Sequence, residues 1–201
     1  MIAHHAGPGR EVQGIGTRAT LGTGVIAVPR GLAQAGPGGT VGAMAAAAPL
    51  TLFLPAAEVT ARLGRTLAHL LQPGDTVLLH GAIGAGKSHL ARALIRERLG
   101  RDEDVPSPTF TLVQTYADAA GDLWHADLYR LTDPDEVAEL GLEAAFDTGI
   151  CLIEWPDRLG SITPPDALHL RLSDAGDGRR ADVSGGRDGL IRALSDHWAD
   201  A

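Results

Sequence analysis

The chain has 201 residues, 44% of them hydrophobic, which suits one well-filled domain with an appendage. Its formal charge of -8 at pH 7 repels phosphate backbones, so we expect no strong direct binding of nucleic acid. The single cysteine, Cys151, excludes a disulfide within the chain, and no apolar run approaches the roughly 20 residues that span a bilayer. We therefore predict a soluble cytoplasmic protein without a membrane segment.

Residues 1–49 differ in composition from the remainder of the chain. They contain eleven glycines, eleven alanines, no aromatic residue and a single acid, Glu11. Such a segment buries too little apolar surface to offset the entropy that is lost on ordering it. We predict that it is either a disordered N-terminal extension or, up to residue 43, sequence upstream of a true start near Met44. Residues 50–201 are then the folded domain.

From residue 50 onwards, the hydrophobic pattern predicts strands that alternate with helices. The predicted strands are 50–54, 75–80, 109–116, 122–127, 149–155, 167–172 and 180–184, of which the last two form a hairpin. The predicted helices are 59–71, 88–99 with Gly100 just past its end, a short one that begins at Asp133-Pro134 with Glu136 completing a capping box, and a last one through Trp198. This alternation indicates an α/β fold, a three-layer sandwich around a largely parallel sheet.

A phosphate-binding loop is predicted between the second strand and the second helix. Residues 81–88, Gly-Ala-Ile-Gly-Ala-Gly-Lys-Ser, have the spacing G-x-x-x-x-G-K-[ST]. Glycines let successive backbone N–H groups point at an anion, and the helix N-terminus adds its positive end. Lys87 would contact the β- and γ-phosphates, and Ser88 would offer its hydroxyl to Mg²⁺. The predicted nucleotide contacts of the loop are Gly81, Gly84, Ala85, Gly86, Lys87, Ser88 and the backbone of His89.

A chain with 26 glycines could produce this pattern by chance. The chain has sixteen arginines and a single lysine, and that lysine is Lys87. A composition so biased towards arginine keeps lysine where a compact ammonium is needed and a planar guanidinium does not fit. The position of the lysine therefore favours a P-loop NTPase over coincidence.

Two acids, Asp127 and Glu154, end predicted strands beyond the phosphate loop. Acids at such positions hold Mg²⁺, directly or through water, or orient the attacking water. We predict a catalytic role for both, and the sequence leaves open which lies nearer the metal. Arg130 would stabilise transition-state charge or anchor the loop by an ion pair. For His125, packing or hydrogen bonding is at least as well supported as proton transfer.

Several other side chains have both a functional and a structural interpretation. Thr109, in the proline-stiffened loop 107–110, would add a hydroxyl to the metal shell or sense the γ-phosphate, or the loop is a plain turn. Trp155 would stack near the nucleotide or pack at a strand end. Cys151 fits a buried, inert thiol. The arginines between residues 92 and 101 alternate with acids and fit a solvated helix face.

Four motifs follow one another along the chain: the phosphate loop, Ser107-Pro108-Thr109-Phe110, His125-x-Asp127-x-Tyr129-Arg130 and Ile153-Glu154-Trp155-Pro156. In this order and spacing they resemble the bacterial TsaE (YjeE) family of tRNA threonylcarbamoyladenosine biosynthesis ATPases, over about residues 55–160. The resemblance implies ATP and Mg²⁺ as cofactors and the TsaB and TsaD proteins as partners, acting while threonylcarbamoyl is placed on the adenosine beside the anticodon. It also implies that hydrolysis resets that assembly. The chain departs from the family pattern at Ser88-His89, where the family usually has threonine, often a pair.

The site residues that follow from the motifs and the resemblance fall into three groups. The predicted catalytic residues are Asp127, Glu154, Lys87 and Arg130; the predicted metal ligands are Ser88, Thr109, Glu154 and Asp127; and Trp155 joins the loop residues in nucleotide binding.

Two other functions remain open. A small-molecule kinase would share this phosphate loop and this chain length, but it needs an arginine-bearing lid. Residues 101–105 are too few to form such a lid, and residues 117–122 are the other insertion that could form one. A nucleotide-gated binding module with negligible hydrolysis would act by switching partner affinity. The eight histidines show no zinc-ligand spacing, which disfavours a zinc hydrolase.

Overall fold

In the part of the chain that the structure describes, seven strands form one mixed sheet that helices cover on both faces. The computed structural model describes residues 48–101 and 104–199, so residues 1–47 of the predicted extension lie outside the described residues. The strands are β1 (Leu50–Leu54), β2 (Thr76–His80), β3 (Val113–Asp118), β4 (Gly121–Asp127), β5 (Ile150–Glu154), β6 (Leu168–Ala175) and β7 (Gly178–Gly185). The helices are α1 (Ala57–Leu70), α2 (Lys87–Leu99), α3 (Pro134–Ala138), α4 (Leu142–Thr148) and α5 (Leu190–Ala199), with 3₁₀ turns at Pro156–Arg158 and Gly160–Ile162.

The sheet order is β1-β7-β6-β2-β5-β4-β3. Strands β6, β2, β5 and β4 are parallel, which confirms the predicted parallel sheet for its centre. Strands β3 and β7 are antiparallel to this centre, because β3–β4 and β6–β7 are hairpins whose short turns permit only that direction. Strand β1 pairs antiparallel with β7 at the edge of the sheet and so runs in the same direction as the central strands. The predicted hairpin of the last two strands is thus confirmed.

Each face of the sheet has its own hydrophobic core. Successive residues of β2 point to opposite faces, so Val77 and Leu79 pack with α1, α2 and α5, whereas Leu78 packs with α3 and α4. Both faces of the central strands are therefore buried, which explains their unbroken apolar runs. The predicted three-layer α/β sandwich is confirmed.

Some local predictions were wrong. The strand predicted from residue 109 begins only at Val113, because residues 109–112 form a turn in which Leu112 has a φ of 65°. Helix α4 was not predicted, since its seven residues are too few for a helical period to show. Arg98 is not on a solvated face: its guanidinium pairs with Asp118 and donates to main-chain oxygens at the end of α1.

Two further expectations concern burial and the membrane. Cys151 is fully buried, and burial raises the pKa of its thiol to about 12, as expected for an inert cysteine. Within residues 48–101 and 104–199, no helix combines the length and the apolar character that crossing a bilayer requires.

Candidate functional site

The phosphate loop (residues 81–88) joins β2 to α2 with a backbone that only glycine adopts readily. Gly81, Gly84 and Gly86 have φ angles of 138°, 78° and 104°. A Cβ at Gly81 would lie 2.4 Å from the carbonyl oxygen of Leu172 on β6. The glycines therefore let the loop turn tightly against the neighbouring strand, and α2 starts immediately behind it.

The ammonium of Lys87 lies inside the loop. Its Nζ donates to the carbonyl oxygens of Gly81, at 2.9 Å, and Ala82, at 3.0 Å, and it lies 4.2 Å from the centre of the Trp155 ring. The residue is only 5% exposed. Burial lowers the pKa of Lys87, while the carboxylates of Glu154 and Asp127 act in the opposite direction. A buried cation so placed is suited to pairing with an anionic ligand.

Glu154 connects the loop helix to the sheet. The Ser88 hydroxyl donates to Glu154 Oε2 at 3.0 Å, and His125 Nε2 lies 3.0 Å from Oε1. Glu154 is 2% exposed and His125 is 0% exposed. The carboxylate and the hydroxyl that were predicted separately as metal ligands are therefore direct neighbours.

Asp127 lies beside Glu154, because the parallel register of β4 and β5 pairs the two residues. Its Oδ2 accepts from the Thr109 hydroxyl at 2.8 Å, and its Oδ1 accepts from the Tyr129 N–H at 3.1 Å. The Ser107 hydroxyl lies 3.0 Å from that of Thr109. The turn before β3 thus brings Thr109 to the acid, which supports the functional interpretation of this loop.

Trp155 has an unusual backbone. Its φ of 59° is in the left-handed region, which costs a non-glycine residue about 1–3 kcal/mol. This conformation sets the indole between the Lys87 ammonium and the Tyr129 ring, whose centre is 4.9 Å from that of Trp155. The indole therefore packs against the lysine of the phosphate loop, and its predicted stacking near the nucleotide stays a prediction.

Arg130 is not brought to the two acids. It is exposed, and its guanidinium carbon lies 5.7 Å from the centre of the Phe110 ring. In the described part of the chain, the large exposed hydrophobic side chains are Phe53, Ile83, Phe110 and Tyr129. Ile83 belongs to the phosphate loop, Phe110 follows Thr109, and Tyr129 lies two residues after Asp127. We call Ile83, Phe110, Tyr129 and Arg130 the rim of the site.

A cavity of about 280 Å³ adjoins the phosphate loop on the side of α1. Its walls include Pro55, Ala57, Gly84, His89, Gly178 and Arg179. His89 is fixed there, because its Nε2 donates to the Ala57 carbonyl oxygen at 2.9 Å. No motif predicted this α1 cavity. The sequence carries no signal for it, because the cavity combines segments that are distant in the chain.

Protonation of His80, the residue before the loop, opposes folding. Its Nε2 lies 3.1 Å from His169 Nδ1. Burial and then Arg171 lower the pKa of His80 below 6.5, although Asp157 raises it. The folded protein therefore binds fewer protons at this ring than the unfolded chain does, and the free energy of unfolding decreases as the pH falls below 6.5.

We expect denaturant unfolding to show lower stability at about pH 5.5 than at about pH 7.5. The His80→Gln variant should reduce this difference, because it removes the titrating ring. A variant with the wild-type pH dependence would contradict the assignment.

The donor chemistry at the loop fits Mg²⁺ bound together with a nucleotide. Within the described residues, no group of three or more His, Cys, Asp or Glu side chains is arranged to hold a metal ion. The site offers hydroxyl and carboxylate oxygens from Ser88, Glu154, Asp127 and Thr109. Mg²⁺ uses such oxygens sparingly, retaining waters and taking other ligands from phosphates.

Comparisons with known proteins show which family this chain is similar to. The family "Threonylcarbamoyl adenosine biosynthesis protein TsaE" matches residues 54–181, which include all four sequence motifs. The tRNA threonylcarbamoyladenosine biosynthesis protein TsaE of Rickettsia felis is 38% identical over 129 residues, 64% of this chain and 75% of the relative. That of Treponema pallidum is 38% identical over 125 residues, 62% of this chain and 91% of the relative. The crystal structure of YdiB from Bacillus subtilis has a TM-score of 0.62 at 28% identity, covering 75% of this chain and 96% of that one.

Proposed function

Because the chain belongs to the TsaE family of threonylcarbamoyl adenosine biosynthesis proteins, we propose that it is a Mg²⁺-dependent ATPase required for threonylcarbamoylation of the tRNA adenosine beside the anticodon. The observation that carries the ATPase assignment is the convergence of Lys87, Ser88, Glu154 and Asp127 at one phosphate loop. Both the acids and the loop are needed for hydrolysis, whereas binding alone needs only the loop.

The nucleotide lies across the phosphate loop with its base in the α1 cavity. The β- and γ-phosphates accept hydrogen bonds from the backbone N–H groups of residues 84–88 and from the ammonium of Lys87. The cavity is the adjoining concavity on the side of α1, and its largely apolar walls suit a planar base. His89 closes the cavity through its side chain as well as its backbone.

Ser88 and Glu154 would hold the Mg²⁺ ion. This choice is supported by the contact of 3.0 Å between Glu154 and the hydroxyl of Ser88, the residue that follows Lys87, whereas Asp127 contacts Thr109 instead. When bound, Mg²⁺ neutralises phosphate charge. Asp127, with Thr109 on its Oδ2, then orients the attacking water, and Trp155 keeps bulk water away from Lys87.

TsaB and TsaD are the proposed partners, and the proposal assigns the chain to the cytoplasm, where tRNA is available. The rim supports docking of a protein, because it exposes apolar side chains beside the reacting groups. A partner that covers Phe110 would also release Arg130 from the contact with that ring. Partner binding would thereby make Arg130 available to the γ-phosphate, and the isolated chain is then expected to hydrolyse ATP more slowly than the chain with its partners.

The Phe110→Ser variant is expected to weaken the stimulation of hydrolysis by partners, with at least about a tenfold higher partner concentration required. Phe110 is 85% exposed, so the change removes contact area without leaving a cavity. Partner titrations of the hydrolysis rate measure the effect.

Phe53→Ser is the matched control, because Phe53 is 45% exposed on β1 and does not belong to the rim. Equal responses of the two variants would contradict docking on the rim.

The proposed function is tested by phosphate release from ATP, with and without Mg²⁺, by the chain alone and with TsaB and TsaD. Hydrolysis that the partners stimulate supports the ATPase. Transfer of phosphate to an added metabolite would identify a kinase instead. Nucleotide-dependent partner binding without hydrolysis would identify a nucleotide-gated binding module.

A further inference from the structure

His125 is a polar side chain in a fully buried position. It is 0% exposed and lies on the same face of β4 as Leu123 and Asp127, because alternate residues of a strand share a face. That face packs against α2, the helix that follows the phosphate loop.

The ring completes the hydrogen bonding of Glu154. Ser88 on α2 donates to Oε2 at 3.0 Å, and His125 on β4 lies 3.0 Å from Oε1. The carboxylate belongs to β5, so donors from two other elements hold it from opposite ends. The terminal torsion of a glutamate is otherwise broad. With both contacts in place, Oε2 is directed at the hydroxyl of Ser88.

The surroundings of His125 assign its tautomer. Within the described part of the chain, Nδ1 is buried and has no hydrogen-bond partner. A proton on Nδ1 would leave a buried donor unsatisfied, so the neutral ring carries its proton on Nε2. Nε2–H therefore donates to Glu154, which accepts with both of its oxygens.

A packing role alone does not account for an imidazole here. The partners of His125 in the sheet register are Leu152 on β5 and Gln114 on β3, and Leu123 is its neighbour on the same face of β4. A fully buried polar ring is unfavourable unless it is hydrogen-bonded, and its Nε2 contact is with Glu154. An aliphatic side chain would fill the same space at lower cost.

We propose that His125 is a positioning residue, which holds the Glu154 carboxylate in the orientation that makes Oε2 available to Ser88 and to Mg²⁺. This inference rests on the proposed function. Partners of metal-ligating carboxylates typically change metal affinity by about 10- to 100-fold when they are removed. The effect of His125 should therefore appear in the Mg²⁺ requirement before it appears in nucleotide binding without metal.

The test is a matched pair of amides, His125→Gln and His125→Asn. The glutamine amide reaches the place of Nε2 and can donate to Glu154, whereas the asparagine amide is one methylene shorter and cannot. Binding of a fluorescent ATP analogue is titrated with MgCl₂ at one pH, and kcat and KM for ATP are measured beside it. If the asparagine variant does not fold, His125→Leu replaces it as the variant without a donor.

We expect the variant without a donor to need about 10- to 100-fold more Mg²⁺, and the glutamine variant to stay close to the wild type. Equal Mg²⁺ requirements for all folded variants would overturn the positioning role while leaving the ATPase intact. The positioning role would also be overturned if the leucine variant behaved like the wild type while the glutamine variant was impaired, since that result indicates a packing role. A wild-type chain that binds the analogue without any effect of Mg²⁺ would overturn the proposed function itself.

Discussion

The Lys87→Ala variant is expected to lose at least about 10²-fold in kcat/KM for ATP hydrolysis. Lys87 supplies the ammonium inside the phosphate loop, and its 5% exposure means that solvent cannot replace it readily. Its charge acts on phosphates in a site where Trp155 and the loop exclude water, so the interaction is little screened. Steady-state kinetics and equilibrium binding of ATP measure the loss.

Lys87→Arg is the informative control for this prediction. It keeps the charge but replaces a compact ammonium with a larger planar guanidinium, which does not fit the space that Lys87 Nζ occupies between the carbonyl oxygens of Gly81 and Ala82. We expect it to be nearly as inactive as the alanine variant while folding normally. Wild-type kcat/KM in either variant would show that this loop does not hold the phosphates.

The second large effect is expected from the two acids, and it should differ between them. Glu154→Gln should raise the Mg²⁺ requirement, because it removes the charge next to Ser88. Asp127→Asn should lower kcat at saturating Mg²⁺, because it impairs the acid that faces Thr109. Either change is expected to lower activity by about 10²-fold or more. Titrating Mg²⁺ against kcat for both isosteric variants separates the two roles.

The reverse pattern would assign the metal to Asp127. In that pattern, Asp127→Asn shifts the Mg²⁺ requirement and Glu154→Gln lowers only kcat. The fold itself should survive both substitutions, since each preserves the shape of the side chain and its capacity to accept one hydrogen bond. Thermal unfolding provides that check.

The parts of the site that could be predicted from the sequence are those encoded by local patterns. The phosphate loop has a fixed spacing between a strand and a helix, and the acids Asp127 and Glu154 each end an apolar strand. In a parallel sheet, such ends lie at one edge, so the location of both acids at that edge follows from strand direction. The register of β4 and β5 then pairs the two residues directly.

The parts that could not be predicted depend on contacts between distant segments. The bond from His125 to Glu154 requires the lateral order of β4 and β5, which local patterns do not specify. The α1 cavity combines the β6–β7 turn with the start of α1, more than a hundred positions apart in the chain. The bonds of Arg98 likewise link α2 to the end of α1 and to β3, where the spacing of charges alone suggested a solvated face.

The central claim is that hydrolysis at the phosphate loop supports tRNA modification, and reconstituted threonylcarbamoylation with TsaB and TsaD tests it most directly. The amount of modified tRNA is measured over time in three reactions, which contain the wild-type chain, the Glu154→Gln variant or no added chain. If hydrolysis resets the assembly, only the wild-type chain sustains repeated turnovers, and the variant gives no more product than the reaction without it. Equal repeated turnover with the variant, or without any chain, would contradict the account.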